Sequence, residues 1–324
     1  MPENRKYYPH GSVLLITTRM EEGLPLTPTH LNNYIIWGCL ARARELYKVK
    51  VCHFVVMGNH LHLILVVDDP EHVPLFMCYL KSEISHCVNR LLGRRQKTRW
   101  QEGYDSPLLL DAKSVKRYIK YIYLNPTRAG LVSDIEQFPG VSSWEMFTSG
   151  NHKARHRRVS RPQLFPITPA LGINEQKCIV EELKQLPATE SEFILEPFAW
   201  VDTFPEMQGL DIEELKQELL SEIALAHEQI RQDYARKKKR FFGATELRRQ
   251  SMLLEHVPTK YSKKMICISA DKELRKQFIE MFKYLADEAR KVYQQWKLGE
   301  LLAKVPPGMF APRFPVLSSA LYPI

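Results

Sequence analysis

The 324-residue sequence contains no long apolar run, and this absence excludes several classes of protein. No stretch approaches the roughly 20 apolar residues that a transmembrane helix needs. The opening residues, MPENRKYYPHG, include no apolar segment of the kind found in a secretory signal peptide. The six cysteines form no Cys-x-x-Cys pair, so a disulfide framework is not indicated and reduced, buried thiols are expected. We therefore expect a cytoplasmic protein without membrane contact.

The composition is otherwise that of a globular protein. Hydrophobic residues make up 44% of the chain, charged residues 26% and aromatic residues 10%, which supplies a buried core and excludes disorder for most of the chain. The length favours two domains. We predict a first domain at residues 1–148, a basic linker at 149–170 and a mainly helical, basic extension at 171–324.

Positive charge is concentrated in three stretches. Residues 90–99 and 151–161 each carry a net charge of +5 and residues 234–264 carry +8, whereas the whole chain carries only +9. Such segregation suits a phosphate-binding surface, although single runs of this kind are often solvated faces or linkers. Taken together, the three runs predict contact with nucleic acid. The cations predicted to bind DNA are Arg94, Arg95, Lys97, Arg99, Arg157, Arg158, Lys237, Lys238, Lys239 and Arg240.

The apolar patterns of the first half predict alternating strands and helices. In order, we predict a strand at 12–18, a helix at 28–46, strands at 50–57 and 60–67, a helix at 71–92, a strand at 105–110 and a helix at 113–125. Thr27 can cap the first helix, with Pro28 at its first position, and Pro126 should end or kink the third. The order is close to a ferredoxin-like α+β sandwich with helices on one face of an antiparallel sheet. Farther on, helices are predicted at 174–186, 211–236 and 271–298.

Two histidines follow the tight turn at Gly58-Asn59, at the start of the third predicted strand. Because side chains alternate along a strand, His60 and His62 point to one face and Leu61 points to the other. Two imidazoles placed in this way can bind one divalent cation. Many isolated His-x-His pairs bind no metal, so a metal site at this pair needs further evidence from elsewhere in the chain.

The predicted helix RYIKYIYLNP offers that support, because Tyr121 and Asn125 are four residues apart and share a helix face. A tyrosine beside a metal can act as a nucleophile toward phosphorus, and an amide oxygen is a hard ligand. The alternative is that Tyr118 and Tyr121 are core aromatics and Asn125 caps the helix. Tyr118 is also the one rival to Tyr121 as nucleophile.

The runs VVMGNHLHLILVV and YIYLNPTRAGLV together resemble the single-tyrosine HUH transposases, and among them the REP-associated tyrosine transposases. The resemblance covers roughly residues 10–147 and extends more loosely to FFGATEL and PPGMFAP in the second half. It implies an HUH domain in which His60, His62 and Asn125 bind a divalent metal, Mg²⁺ or Mn²⁺, and Tyr121 is the nucleophile.

The resemblance also implies a reaction and a substrate. Tyr121 would cleave and rejoin single-stranded or hairpin DNA through a 5′-phosphotyrosine intermediate, in a nucleoid-associated protein that can form a homodimer. Trp100 and the pair Phe241-Phe242 adjoin basic runs and are candidates for stacking on bases, although packing in the core is favoured for Trp100. We expect the extension to grip the duplex stem of a hairpin. The alternative function is a catalytically silent DNA-binding protein, regulatory or architectural, on the same scaffold.

Overall fold

A computed structural model of the chain describes residues 6–93, 100–158, 171–254, 256, 264–310 and 314–315. The first part contains β1 (Val13–Arg19), α1 (His30–Leu46), β2 (Val49–Val56), β3 (His60–Val67), α2 (His72–Leu91), β4 (Leu108–Leu109), α3 (Ala112–Arg128) and α4 (Trp144–Ser149). The second part contains β5 (Lys153–Arg158), α5 (Ile173–Gln185), β6 (Thr189–Ile194), α6 (Ile212–Arg236), α7 (Ala244–Arg249), β7 (Cys267–Ile268) and α8 (Lys272–Lys297).

The main sheet has the strand order β2-β3-β1-β4-β7. The first four strands pair antiparallel, as the sequence predicts, and the α+β fold class is confirmed. The fifth strand, β7, comes from the second half of the chain and pairs parallel with β4, so the complete sheet is mixed. A two-residue strand carries no periodic signal, which is why the sequence does not predict it.

Helices cover both faces of this sheet rather than the one face predicted. On β2 the Phe54 ring contacts Trp37 of α1, with ring centroids 5.4 Å apart, and the neighbouring His53 ring contacts Tyr123 of α3 at 5.5 Å. Every residue of β3 after His60 is buried, which is typical of a strand covered on both sides. The third helix therefore lies on the opposite face from α1.

Two helix boundaries differ from the prediction. The first helix begins at His30 and its cap is Thr29, whose hydroxyl accepts a 3.0 Å hydrogen bond from the amide of Asn32, so neither Thr27 nor Pro28 begins it. The third helix continues through Pro126 to Arg128. A proline in the last turn removes one helical donor only, and the later amides of Ala129 and Leu131 still donate to carbonyls within the helix.

The second half of the chain packs on the first. Residues 153–158 of the predicted linker form β5, which pairs with β6, and the His156 ring stacks on Trp37 of α1 at 4.6 Å. Residues 159–170 of that linker lie outside the described residues. Phe193, Trp200 and Leu219 are buried in the same hydrophobic core as the main sheet. The domain boundaries at 148 and 171 stay a prediction.

The helices predicted in the extension are present within two residues of their expected ends, at α5, α6 and α8. None of the helices in the described part of the chain combines the length and apolar character that crossing a bilayer requires. None of the six cysteines, all of which the structure describes, forms a disulfide; Cys39, Cys52, Cys87 and Cys267 are buried, and Cys78 and Cys178 are exposed.

Candidate functional site

His60 and His62 lie side by side on β3, facing α3. Their ring centroids are 5.0 Å apart, whereas Leu61 between them is buried on the other side of the sheet. The alternation predicted from the sequence therefore places the two imidazoles together.

Hydrogen bonds at Nδ1 fix the orientation of both imidazole rings. His60 Nδ1 lies 2.8 Å from the side-chain oxygen of Asn59, and His62 Nδ1 lies 2.9 Å from the hydroxyl of Thr17. Because an amide oxygen only accepts, His60 Nδ1 carries the proton and its Nε2 keeps a lone pair. His62 Nε2 is buried and has no hydrogen-bond partner among the described residues. His62 thus presents a buried nitrogen atom that the described part of the chain does not satisfy.

The surroundings keep both imidazoles neutral. Burial lowers the pKa of His62 to about 4, with a further contribution from the charge of Arg19. Burial also lowers the pKa of His60 well below its usual range, and His62 and Arg19 add to the effect. A neutral imidazole is the form that binds a metal ion, so at neutral pH the pair is ready to act as a ligand set.

Tyr121 on α3 faces this pair. Its ring meets the ring of His62 edge to face, with centroids 5.3 Å apart. Asp111 caps the helix by accepting a 2.6 Å hydrogen bond from the amide of Ser114, which fixes where α3 begins. Burial raises the pKa of Tyr121, and Tyr118 raises it further, whereas Arg128 and Asn125 act in the opposite direction.

Tyr118 lies one turn earlier on α3, with its ring centroid 5.8 Å from that of Tyr121. Both tyrosines line the same cleft. Among the described residues, a ring contact with the histidine pair is made by Tyr121 and not by Tyr118. The geometry therefore favours Tyr121 over its rival.

Asn125 is buried one turn beyond Tyr121, and its side-chain nitrogen has no hydrogen-bond partner among the described residues. Rotation of the amide exchanges nitrogen for oxygen, so the same position can offer a hard oxygen ligand. No cluster of three or more His, Cys, Asp or Glu side chains suited to a metal occurs in the described ranges. The described residues that line the cleft include His60, His62 and Tyr121 and also Asp105, but not Asn125, whose role as a ligand stays a prediction.

The pair and Tyr121 open into a cleft of about 900 Å³. Its lining includes four cations that sequence reasoning missed, namely Arg19, Arg117, Lys120 and Arg128. The guanidinium of Arg128 lies 6.0 Å from the centre of the Tyr121 ring, and Lys120 pairs with Glu222 of α6. A signal was present, since Arg117 precedes Tyr121 by one turn, Lys120 directly precedes it and Arg128 follows it by two turns. These cations are separated along the sequence and form no charged run, so charge clustering does not indicate them.

The cations predicted to bind DNA lie in three different parts of the chain. Arg94, Arg95, Lys97 and Arg99 lie outside the described residues. Arg157 lies on β5, on the α1 side of the sheet and away from the cleft, where it donates to the carbonyl of Lys184; Arg158 is described only as part of that strand. Residues 237–240 are exposed and follow α6. Trp100 packs against the core and donates a 2.9 Å hydrogen bond to the carbonyl of Lys81, as favoured from the sequence.

Comparison with known proteins adds independent evidence for the same part of the chain. The sequence profile of the family described as "Transposase IS200 like" matches residues 32–123. The resemblance to this transposase family is confirmed. The match includes His60, His62 and Tyr121 and ends before Asn125.

Two single proteins are also similar. A REP-associated tyrosine transposase of Haemophilus influenzae (strain Rd) is 22% identical over 150 residues, which cover 43% of this chain and 84% of that protein. A solved REP-associated tyrosine transposase, bound to a REP hairpin, is 20% identical and aligns with a TM-score of 0.40 over 47% of this chain and 87% of its own.

Proposed function

We propose that this protein is a transposase, a DNA endonuclease that depends on a divalent metal and uses Tyr121 as its nucleophile. The observation that carries the proposal is the contact between the rings of Tyr121 and His62, whose centroids are 5.3 Å apart, beside a buried His62 Nε2 that has no hydrogen-bond partner among the described residues. The transposase likeness of residues 32–123 supports a reaction on DNA. The substrate is single-stranded DNA beside a hairpin, and the protein acts in the cytoplasm, where chromosomal DNA lies.

His60, His62 and Asn125 would hold a divalent ion, because both imidazoles are neutral, with His62 buried and His60 half-buried, and the buried amide can supply an oxygen. When bound, Mg²⁺ or Mn²⁺ supplies Lewis-acid polarisation of a phosphate oxygen. A mixed nitrogen and oxygen donor set in a site that receives phosphate suits these ions.

The reaction is a transesterification. The Tyr121 oxygen loses its proton and bonds to phosphorus, the bond to the 3′ oxygen of the preceding nucleotide breaks, and that oxygen takes up a proton. The product is a 5′-phosphotyrosine link and a free 3′-hydroxyl. A second 3′-hydroxyl reverses the exchange, so rejoining needs no ATP.

The side chains around Tyr121 prepare this step. Burial keeps the phenol protonated at rest, and the charge of Arg128 favours the phenolate as it forms. Arg19 and Arg117, which line the cleft, can bind the phosphates on either side of the scissile bond. Because Tyr121 and His62 belong to one chain, the proposed site needs no residue from a second subunit, and the homodimer stays a prediction.

A denaturing gel tests the nucleophile. The full chain is incubated with a labelled single-stranded hairpin and Mn²⁺, and the gel reports a covalent protein–DNA band. We expect the band from the natural chain and from the control Tyr118→Phe, and its loss in Tyr121→Phe. Tight binding without a covalent band under any divalent metal would support the alternative, a DNA-binding protein that does not cut.

A further inference from the structure

An exposed basic segment lies at the carboxyl end of the helix that carries Tyr121. Residues 237–240, KKKR, are all exposed, and the chain continues into Phe241 and Phe242. The acids nearest in sequence are already paired, Asp233 with Arg236 at 2.7 Å and Glu246 with Arg249 at 3.9 Å. The four positive charges are therefore not cancelled by the acids of their own segment.

The segment, which we call the basic arm (residues 237–243), is held against α3 by its backbone. The amide of Phe242 donates to the carbonyl of Gly130 at 2.9 Å, and the amide of Gly243 donates to that of Leu131 at 2.8 Å. Tyr234 stacks on Phe241, with centroids 4.4 Å apart, and its hydroxyl donates to the carbonyl of Arg128. The arm thus has a fixed position on the turn that follows the candidate nucleophile helix.

Two residues with left-handed backbone make this arrangement possible. Lys238, with φ of 51°, turns the chain back after α6, and Gly130, with φ of 74°, forms the turn that receives the arm. A Cβ atom at Gly130 would lie only 2.7 Å from the hydroxyl oxygen of Tyr234. Glycine at this position is therefore a requirement for seating the arm.

Phe242 is the unusual member of the arm, because the residue is 48% exposed although its backbone is fixed. An aromatic ring presented among cations is the arrangement by which proteins bind single-stranded nucleic acid. A duplex offers few free base faces, since its bases already stack on each other, so an unpaired base is the better partner. Arg128 lies between the arm and the cleft. Its carbonyl accepts the hydrogen bond from Tyr234, and its guanidinium lies 6.0 Å from the centre of the Tyr121 ring.

We propose that the basic arm binds the single-stranded DNA flank that leaves the cleft, with one unpaired base stacked on Phe242 and the neighbouring phosphates on residues 237–240. This inference rests on the proposed function, because it takes the cleft to be the place of cleavage. It assigns the arm to the flank rather than to the duplex stem.

Fluorescence anisotropy of the full chain tests the assignment. The probes are a labelled DNA hairpin with short oligo(dT) flanks and the same hairpin with a blunt end. Binding is measured with a chelator, so no cleavage occurs and the result does not depend on the role of Tyr121. Covalent adduct formation with Mn²⁺ is recorded separately and reports on the proposed function alone.

Phe242→Ala should weaken binding of the flanked hairpin by roughly 5- to 100-fold and leave the blunt hairpin unchanged. Phe242→Tyr keeps the ring and should restore most of the affinity. Replacing Lys237, Lys239 and Arg240 with Gln should lower the slope of log affinity against log salt by about 2, because each phosphate contact to a single strand contributes about 0.7. Lys238 is left unchanged because of its left-handed backbone.

The matched control replaces three exposed lysines of α8 with Gln, namely Lys272, Lys276 and Lys283, and should leave the salt slope for the flanked hairpin unchanged. Melting curves confirm that each variant is folded. Unchanged binding in Phe242→Ala would overturn the assignment. So would an equal loss on both probes, which would place the arm on the stem, or an equal effect of the α8 control.

Discussion

Two histidine–tyrosine pairs connect the main sheet to α3, and their rings are arranged almost identically. His62 meets Tyr121 with centroids 5.3 Å apart and an interplanar angle of 79°, and His53 meets Tyr123 at 5.5 Å and 88°. The two pairs differ in their hydrogen bonds. The comparison shows that ring geometry alone does not separate a candidate site from a structural contact.

Every polar atom of the second pair has a partner. His53 Nδ1 lies 2.6 Å from the hydroxyl of Tyr123 and its Nε2 lies 2.9 Å from the carbonyl of Pro197, while Tyr123 also contacts Ser143 at 3.0 Å. The first pair leaves His62 Nε2 buried and unsatisfied beside an open cleft. Because an orphaned polar atom costs free energy, its retention points to a bound partner at the first pair and to stability at the second.

The largest expected effect comes from replacing His62. His62→Gln should reduce adduct formation by at least about 10³-fold, because the ligand set and the contact to Tyr121 are both changed. The melting temperature should fall only modestly, because Nε2 has no partner to lose and the one hydrogen bond removed is that between Nδ1 and Thr17. The measurement is adduct yield on a denaturing gel, alongside a melting curve. A variant that forms adduct normally would remove the distinction between the two pairs.

Tyr123→Phe should have the opposite profile. It removes the hydroxyl that contacts His53 and Ser143, both fully buried, and should lower the free energy of unfolding by about 1–3 kcal/mol. Denaturant unfolding measures this loss. Tyr121→Phe is the matched control and should cost less stability while abolishing the adduct. The comparison would fail if Tyr123→Phe were as stable as the natural chain.

Acid should destabilise the second pair through His53. Burial lowers the pKa of His53 to about 3, so the folded state binds its proton less readily than the unfolded state. Stability is therefore present above the unfolded pKa near 6.5 and is lost as pH falls below it. Between pH 7 and pH 5 the natural chain should lose about 2 kcal/mol more than His53→Gln, measured by denaturant unfolding at each pH. Equal losses would mean that His53 is not buried as a neutral group.

The smallest expected effect concerns the cleft rather than the core. Lys120 and Glu222 form a partly exposed ion pair between α3 and α6, and such pairs contribute about 0–1 kcal/mol. Glu222→Gln should therefore change stability by less than about 1 kcal/mol and should strengthen binding of single-stranded DNA, because Lys120 is released toward the cleft. Anisotropy at low salt measures the affinity. A weaker complex would show instead that Glu222 positions the lysine.

The sequence predicts what depends on local spacing. Alternation places His60 and His62 on one face, and a separation of four residues places Tyr121 and Asn125 on one side of α3. It does not predict features that depend on distant partners. Three such features depend on tertiary contacts: Tyr234 packs against Gly130, β7 pairs with β4, and α3 continues past Pro126. The two histidine–tyrosine pairs, too, are distinguished only once their hydrogen bonds are known.

The coordination of Mn²⁺ by the full chain is the most direct test of whether His60 and His62 form a metal site. Electron spin echo spectroscopy, with ¹⁵N-labelled histidine for comparison, detects imidazole nitrogens coordinated to the ion. We predict histidine coupling in the natural chain and in Tyr123→Phe, and its loss in the double variant His60→Gln/His62→Gln. Bound Mn²⁺ without histidine coupling in the natural chain, or with unchanged coupling in the double variant, would contradict the account.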